Sequence, residues 1–213
     1  MEIFDEWVTG VRFLEKRLHH IEKEIEEDEA NGGIIFPVRS ELLSNLKNIR
    51  PASVRVVIVG SQPYRSPYAT GIPFAAIGKT NTLHEINIEM QLDCGQYLHD
   101  YSLSGWIEQG ILLLNDISTM STKRNHSWEG FVDSVLDFID SKDLVICAMG
   151  SQDKISLINR KASVVRAHDP QHHLFHGSRM FTNINNNLLL LGQKPVEWGR
   201  TNGLYGELVR CQN

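Results

Sequence analysis

The sequence predicts an α/β fold in three layers (α/β/α), with helices on both faces of a central four-stranded, mainly parallel sheet. Two observations predict it. Strand-like apolar runs alternate with helical patterns along the chain. Those runs are apolar at nearly every position, as strands buried on both faces must be. A length of 213 residues suits one domain spanning 1–213, and a 41% hydrophobic, 22% charged composition is that of an ordinary globular chain.

Residues 3–30 read as one long helix, because Phe4, Trp7, Val8, Val11, Leu14, Leu18, Ile21 and Ile25 recur at three-and-four spacing. Asn31-Gly32-Gly33 ends it. Ile34–Val38 is short and extended, and Ser40–Ile49 is read as a second helix. Pro51-Ala52-Ser53 leads into a strand at Val54–Val59. Leu83–Cys94 is helical, Ser104–Gly110 is a short helix and Ile111–Leu114 is a strand. Trp128–Ser141 is a helix with Phe131, Val135, Phe138 and Ile139 on one face. Leu144–Met149 is a strand, Ile155–Arg160 a helix, Ser163–Ala167 a strand, and Arg179–Leu191 a helix stopped by Gly192.

No run approaches the ~18 apolar residues that a membrane span needs. The acidic start MEIFDEWVTG lacks a signal-peptide pattern. Cys94, Cys147 and Cys211 are too scattered for a disulfide framework or a zinc site, which points to a reducing, intracellular setting: cytoplasm, or nucleus for a eukaryotic host or virus. His172, His173 and His176 cluster without a thiol or carboxylate set to complete a metal site, so no metal and no cofactor is expected. A net charge of −5 does not draw the chain to nucleic acid by long-range attraction. The acidic run Glu22–Glu29 reads as a solvated helix face. A chain with this balance can still bind a nucleic acid through a local patch and helix N-termini.

In a parallel sheet, ligands bind outside the carboxyl ends of the strands. Gly60–Phe74, Asn115-Asp116, Gly150-Ser151 and His168-Asp169-Pro170 all fall at such ends. Taken alone, each has a plain reading: Phe74 as core, Asn115 as a turn former, His168 as a structural imidazole, Ser151 as a helix cap. Each also has a chemical reading. An aromatic beyond Gly71 can stack on a flat base. The Asn115 amide carries a donor side and an acceptor side, suited to a pyrimidine edge. Gly150-Ser151 before a helix can hold a phosphate.

Taken together, these segments resemble the family 1 uracil-DNA glycosylases over nearly the whole chain. The family's V-V-I-L-G-Q-D-P-Y-H is similar to Val56-Val57-Ile58-Val59-Gly60-Ser61-Gln62-Pro63-Tyr64-Arg65, and its G-x-x-F to Gly71-Ile72-Pro73-Phe74. Its L-S-G-W…Q-G-V-L-L-L-N resembles the stretch from Leu103-Ser104-Gly105-Trp106 to Gln109-Gly110-Ile111-Leu112-Leu113-Leu114-Asn115. Its G-W-E-x-F is similar to Ser127-Trp128-Glu129-Gly130-Phe131, its W-G-S to Met149-Gly150-Ser151, and its K-P-I-D-W to Lys194-Pro195-Val196-Glu197-Trp198. H-P-S-P-L-S is matched only in part, by His168-Asp169-Pro170-Gln171-His172. The resemblance implies a hydrolytic DNA glycosylase acting on an everted pyrimidine. Phe74 would stack on the base and Asn115 would read its edge. Tyr64 would crowd the 5-position, and His168 would stabilise the oxygen that gathers charge. Thr82, Gly150, Ser151 and Arg65 would hold the DNA backbone, and Leu174 would fill the vacated stack.

The pattern breaks at the reaction centre. Gln62 stands where the family has its water-activating aspartate, and a carboxamide brings neither a base nor a charge. Asp169, or a water held by Gln62, is the replacement read here. Asp116 follows Asn115 on the strand and points the other way. The prolines of the phosphate loop are absent at Thr80-Asn81, and the loop between Tyr64 and Gly71 is one residue short. The base implied is therefore uracil or a modified pyrimidine, such as a hypermodified cytosine of bacterial viruses. The competing expectation is a catalytically impaired DNA-binding or replication-associated module on the same fold, its N-terminal helix serving as a partner surface.

Overall fold

The computed structural model describes residues 2–150, 156, 157 and 159–201. Four strands form one all-parallel sheet: β2 (Val56–Gly60), β3 (Ile111–Asn115), β5 (Val145–Met149) and β6 (Ser163–Ala167), in the order β3-β2-β5-β6. A two-residue antiparallel pair, β1 (Ile35–Phe36) with β4 (Met120–Ser121), lies apart from it. Among the described residues, no helix is long and apolar enough to cross a membrane.

The three layers follow from the pleat, since successive side chains on a strand leave by opposite faces. Val57, Val59, Leu112, Leu114, Ile146 and Ala148 enter one apolar core with α1 (Ile3–Gly10), α2 (Leu14–Ala30), α3 (Ser44–Lys47) and α6 (Phe131–Ile139). Val56, Ile58, Ile111, Leu113, Val145 and Cys147 enter the other with α4 (Asn81–Cys94), α5 (Ser104–Ile107) and α7 (Met180–Leu190). Every residue of β2, β3 and β5 is buried, which explains their unbroken apolar sequences. Trp106, Phe181 and Trp198 pack edge-on in the second core, and the Trp106 indole N–H donates to the Trp198 carbonyl at 2.8 Å. The closing Lys194–Trp198 segment is thereby held to α5.

Three expected helices differ. Residues 3–30 form two helices, not one. The chain turns at Val11–Phe13, where Phe13 takes a left-handed φ of 61°, so that α1 and α2 can both lie on the core. Gly10, at the end of α1, lets Phe138 of α6 pack close: a Cβ there would fall 2.0 Å from Phe138 Cζ. Ser40–Ile49 yields only a 3₁₀ turn at Arg39–Glu41 and the one-turn α3, because Leu43 is left-handed and Asn45 turns inward to bond the Leu113 carbonyl at 2.8 Å. The helix read at Ile155–Arg160 lies partly outside the described residues. Of its described positions, Ser156, Leu157 and Arg160 are irregular and Asn159 has a left-handed φ of 62°.

Candidate functional site: a slot at the carboxyl edge of the sheet

Gly60 ends β2 and pairs in register with Asn115, which ends β3. Asn115 shares the strand face of Ile111 and Leu113, so its amide leaves the sheet on the α4/α5/α7 side. Asn115 is buried, and it faces a space beyond the strand ends.

That space is a cavity of about 310 Å³, at the small end of the ~300–1,000 Å³ range of ligand pockets. Gln62, Tyr64, Arg65, Phe74, Thr82, Asn115 and Asp169 all line it, together with Ser61, Asn45 and Gln171. Residues from the loop after β2, the end of β3, the start of α4 and the loop after β6 therefore meet in one chamber.

The aromatic wall is built with strain. Phe74 has a φ of 66°, a conformation that a bulky non-glycine residue holds only when its surroundings enforce it. A chain of hydrogen bonds supplies the enforcement. The Leu83 N–H donates to Thr80 Oγ1 at 3.2 Å, Thr80 Oγ1 donates to the Tyr64 hydroxyl at 2.9 Å, and that hydroxyl donates to the Phe74 carbonyl at 2.8 Å. Burial pushes the Tyr64 phenol above its ordinary pKa, against the opposing hydrogen bonds of Thr80 and Thr82, so it stays a neutral donor. Gly60 completes the wall: a Cβ there would meet Phe74 Cζ at 2.4 Å and Asn115 Oδ1 at 3.0 Å. In the sequence Thr80 marks only the place where the phosphate loop lacks its prolines; in the fold it is both the N-cap of α4 and a link in this chain.

A carboxylate also reaches the chamber. Asp169 lines the chamber, its Oδ1 accepting the Gln171 N–H at 2.9 Å. Gly150 acts behind it. Its φ of +73° and bare Cα let the end of β5 close on Asp169, whose Cβ would lie 2.8 Å from an added Cβ. Gln171 Nε2 donates to Thr82 Oγ1 at 3.1 Å across the chamber mouth.

Some expected residues stand elsewhere. His168 is exposed and does not line the cavity; its ring stacks on His172 at 4.7 Å with a 17° interplanar angle. Leu174 is 52% exposed in the same loop. Gly150 supports the wall and does not line it. Ser151 lies outside the described residues. Asp116 is absent from the lining, and its N–H donates to the Gly60 carbonyl at 2.9 Å.

An α/β/α domain that closes one small chamber at the carboxyl edge, walled by an enforced aromatic and floored by an open amide, has the architecture of a base-excising enzyme. No family model matches the chain. Among curated proteins, it is 33% identical over 184 residues to a uracil-DNA glycosylase of Streptococcus thermophilus, covering 78% of this chain and 84% of the relative. It is 31% identical over 212 residues to a uracil-DNA glycosylase of Pasteurella multocida, covering 90% and 95%. Among solved structures, mimivirus uracil-DNA glycosylase superposes with a TM-score of 0.73 at 19% identity over 92% of this chain and 84% of that one. A mimivirus variant in complex with UGI gives 0.75 at 18% identity over 91% and 87%. The chain belongs to the uracil-DNA glycosylase family, hydrolases of N-glycosyl bonds in DNA.

Proposed function

We propose that the protein removes uracil from DNA by hydrolysis and leaves an abasic site, using a water oriented by Gln62 beside the Asp169 carboxylate. The observation that carries this reading is the buried Asn115 lining one chamber with Phe74. Its oxygen and nitrogen match the N–H and carbonyl on one edge of uracil. The N1–C1′ bond breaks, its electron pair leaves with the base, and the water oxygen bonds to C1′ while its proton passes to solvent or base. Gln62 can orient that water through its amide oxygen but cannot take the proton. Asp169 offers the negative charge that an oxocarbenium-like sugar demands. The resemblance assigns His168, just before Asp169 on a loop outside the chamber lining, the role of steadying the departing base, and Leu174 of the same loop that of the wedge. Thr82, Arg65 and Ser151 are assigned to the phosphates.

Tyr64 is fixed through its hydroxyl at both ends, so the 5-position wall has little freedom to retreat. This supports an unsubstituted pyrimidine over a bulky modified cytosine. The test is a panel of single- and double-stranded oligonucleotides carrying uracil, thymine, cytosine or modified cytosines, incubated with protein and then treated with alkali. Breaks at uracil, abolished by Asn115→Ala, are the expected result. Breaks at a modified cytosine would overturn the assignment of the base. DNA binding with no breaks at any base would overturn the enzyme.

A further inference from the structure

We infer that His172 is a positioning residue that serves the reaction at two points, setting the ring of His168 and the backbone of the Leu174 wedge. This rests on the function proposed above. The His172 ring lies against His168 at 4.7 Å and 17°, and against His173 on its other side at 4.4 Å and 31°. Its Nδ1 accepts the backbone N–H of Leu174 at 3.2 Å, which requires that nitrogen to be unprotonated. Its own N–H donates to the Asp169 carbonyl at 2.8 Å, and its carbonyl accepts the Phe175 N–H at 2.9 Å. His172 thus joins the three parts of the loop assigned to chemistry and insertion: Asp169, His168 and Leu174. Phe175, fully buried, roots the far side of the loop.

The two contacts use different chemistry, so two variants separate them. His172→Asn keeps an acceptor near the position of Nδ1 and loses the ring. His172→Phe keeps the ring and loses the acceptor. A wedge matters where a stack must be filled, so loss of the Leu174 bond weakens action on duplex more than on single strands. Loss of the ring that steadies His168 slows the chemical step on both.

The experiment measures single-turnover uracil excision on matched single- and double-stranded oligonucleotides, with thermal unfolding in parallel. At about one hydrogen bond's worth, His172→Phe should lose about fivefold on duplex while staying within about twofold on single strands. His172→Asn should slow about fivefold on both and keep the ratio between them, and His172→Ala should combine the two losses. If wild type cleaves and the Asn and Phe variants share one pattern, or the Ala variant matches wild type, the inference falls and the proposed function stands. A wild type that cleaves uracil in neither substrate overturns both.

Discussion

The Gly60→Ala substitution tests whether the chamber depends on one missing methyl group. The added Cβ would lie 2.4 Å from Phe74 Cζ, 2.8 Å from Cε1 and 3.0 Å from Asn115 Oδ1. Ordinary carbon contact is about 3.5 Å, so the ring must retreat by roughly 1 Å. It cannot do so freely. Phe74 is held at a φ of 66°, and its carbonyl accepts from the Tyr64 hydroxyl at 2.8 Å. The neighbouring Asn115 oxygen must give as well. A misplacement of this size costs about 10²-fold in rate, and the overpacking costs about 1–3 kcal/mol of stability. The assay is single-turnover excision from a uracil oligonucleotide with enzyme in excess, alongside urea unfolding to confirm a folded protein. Trimming the ring in the same chain (Gly60→Ala with Phe74→Leu) should recover part of the lost stability, since the two changes share one contact. A folded Gly60→Ala protein cleaving within about twofold of wild type would refute the reasoning, because a displaced wall cannot leave the rate intact.

Gln62→Asp restores a group that can take a proton and should raise uracil excision about 10²-fold; a slower variant would show that Asp169 and a second carboxylate conflict in the chamber. Glu89, fully buried on α4, accepts from the Gly177 N–H at 2.7 Å, the Ser178 hydroxyl at 3.0 Å and the Arg179 N–H at 2.8 Å. Glu89→Ala strands all three donors and should cost about 3 kcal/mol in urea unfolding. Because burial raises the Tyr64 pKa, the folded chain holds that proton more tightly than the unfolded one. The resulting stability is complete below the ordinary phenol range, near pH 10, and is lost as pH rises above it. Unfolding midpoints between pH 8 and pH 11 should fall less steeply for Tyr64→Phe than for wild type. Cys147, wholly buried with its thiol pushed up to about 12, should resist a thiol reagent until the protein unfolds.

The four strands were legible because burial on both faces writes itself as an uninterrupted apolar run, as at Val56–Val59 and Ile111–Leu114. The convergence of Gln62, Tyr64, Phe74, Asn115 and Asp169 was legible from strand ends and motif order, since a parallel sheet brings those ends together whatever lies between them. The break between α1 and α2 was not. Apolar spacing continues through Val11 and Leu14, and a left-handed phenylalanine at 13 has no local signature; nor does the packing of Phe138, far along the chain, against Gly10. The collapse of 40–49 likewise turns on the bond from Asn45 to the Leu113 carbonyl. The placing of His168 beside His172, outside the chamber lining, and the clamp on Phe74 through Thr80 are contacts without a local sequence signature.

The chamber is assembled from stretches of chain near residues 62–75, 115 and 169–171, with β6 at the border of the sheet. A molecule lodged there ties the outermost strand to the innermost, so its grip is felt by the entire cooperative unit and not by a loop. At a hundred times its dissociation constant, such an occupant would delay melting of the whole fold by about 2.7 kcal/mol. Shortened versions that lack β6 would have no weakened remnant of the grip, because no single stretch of the sequence holds enough of the walls to keep it.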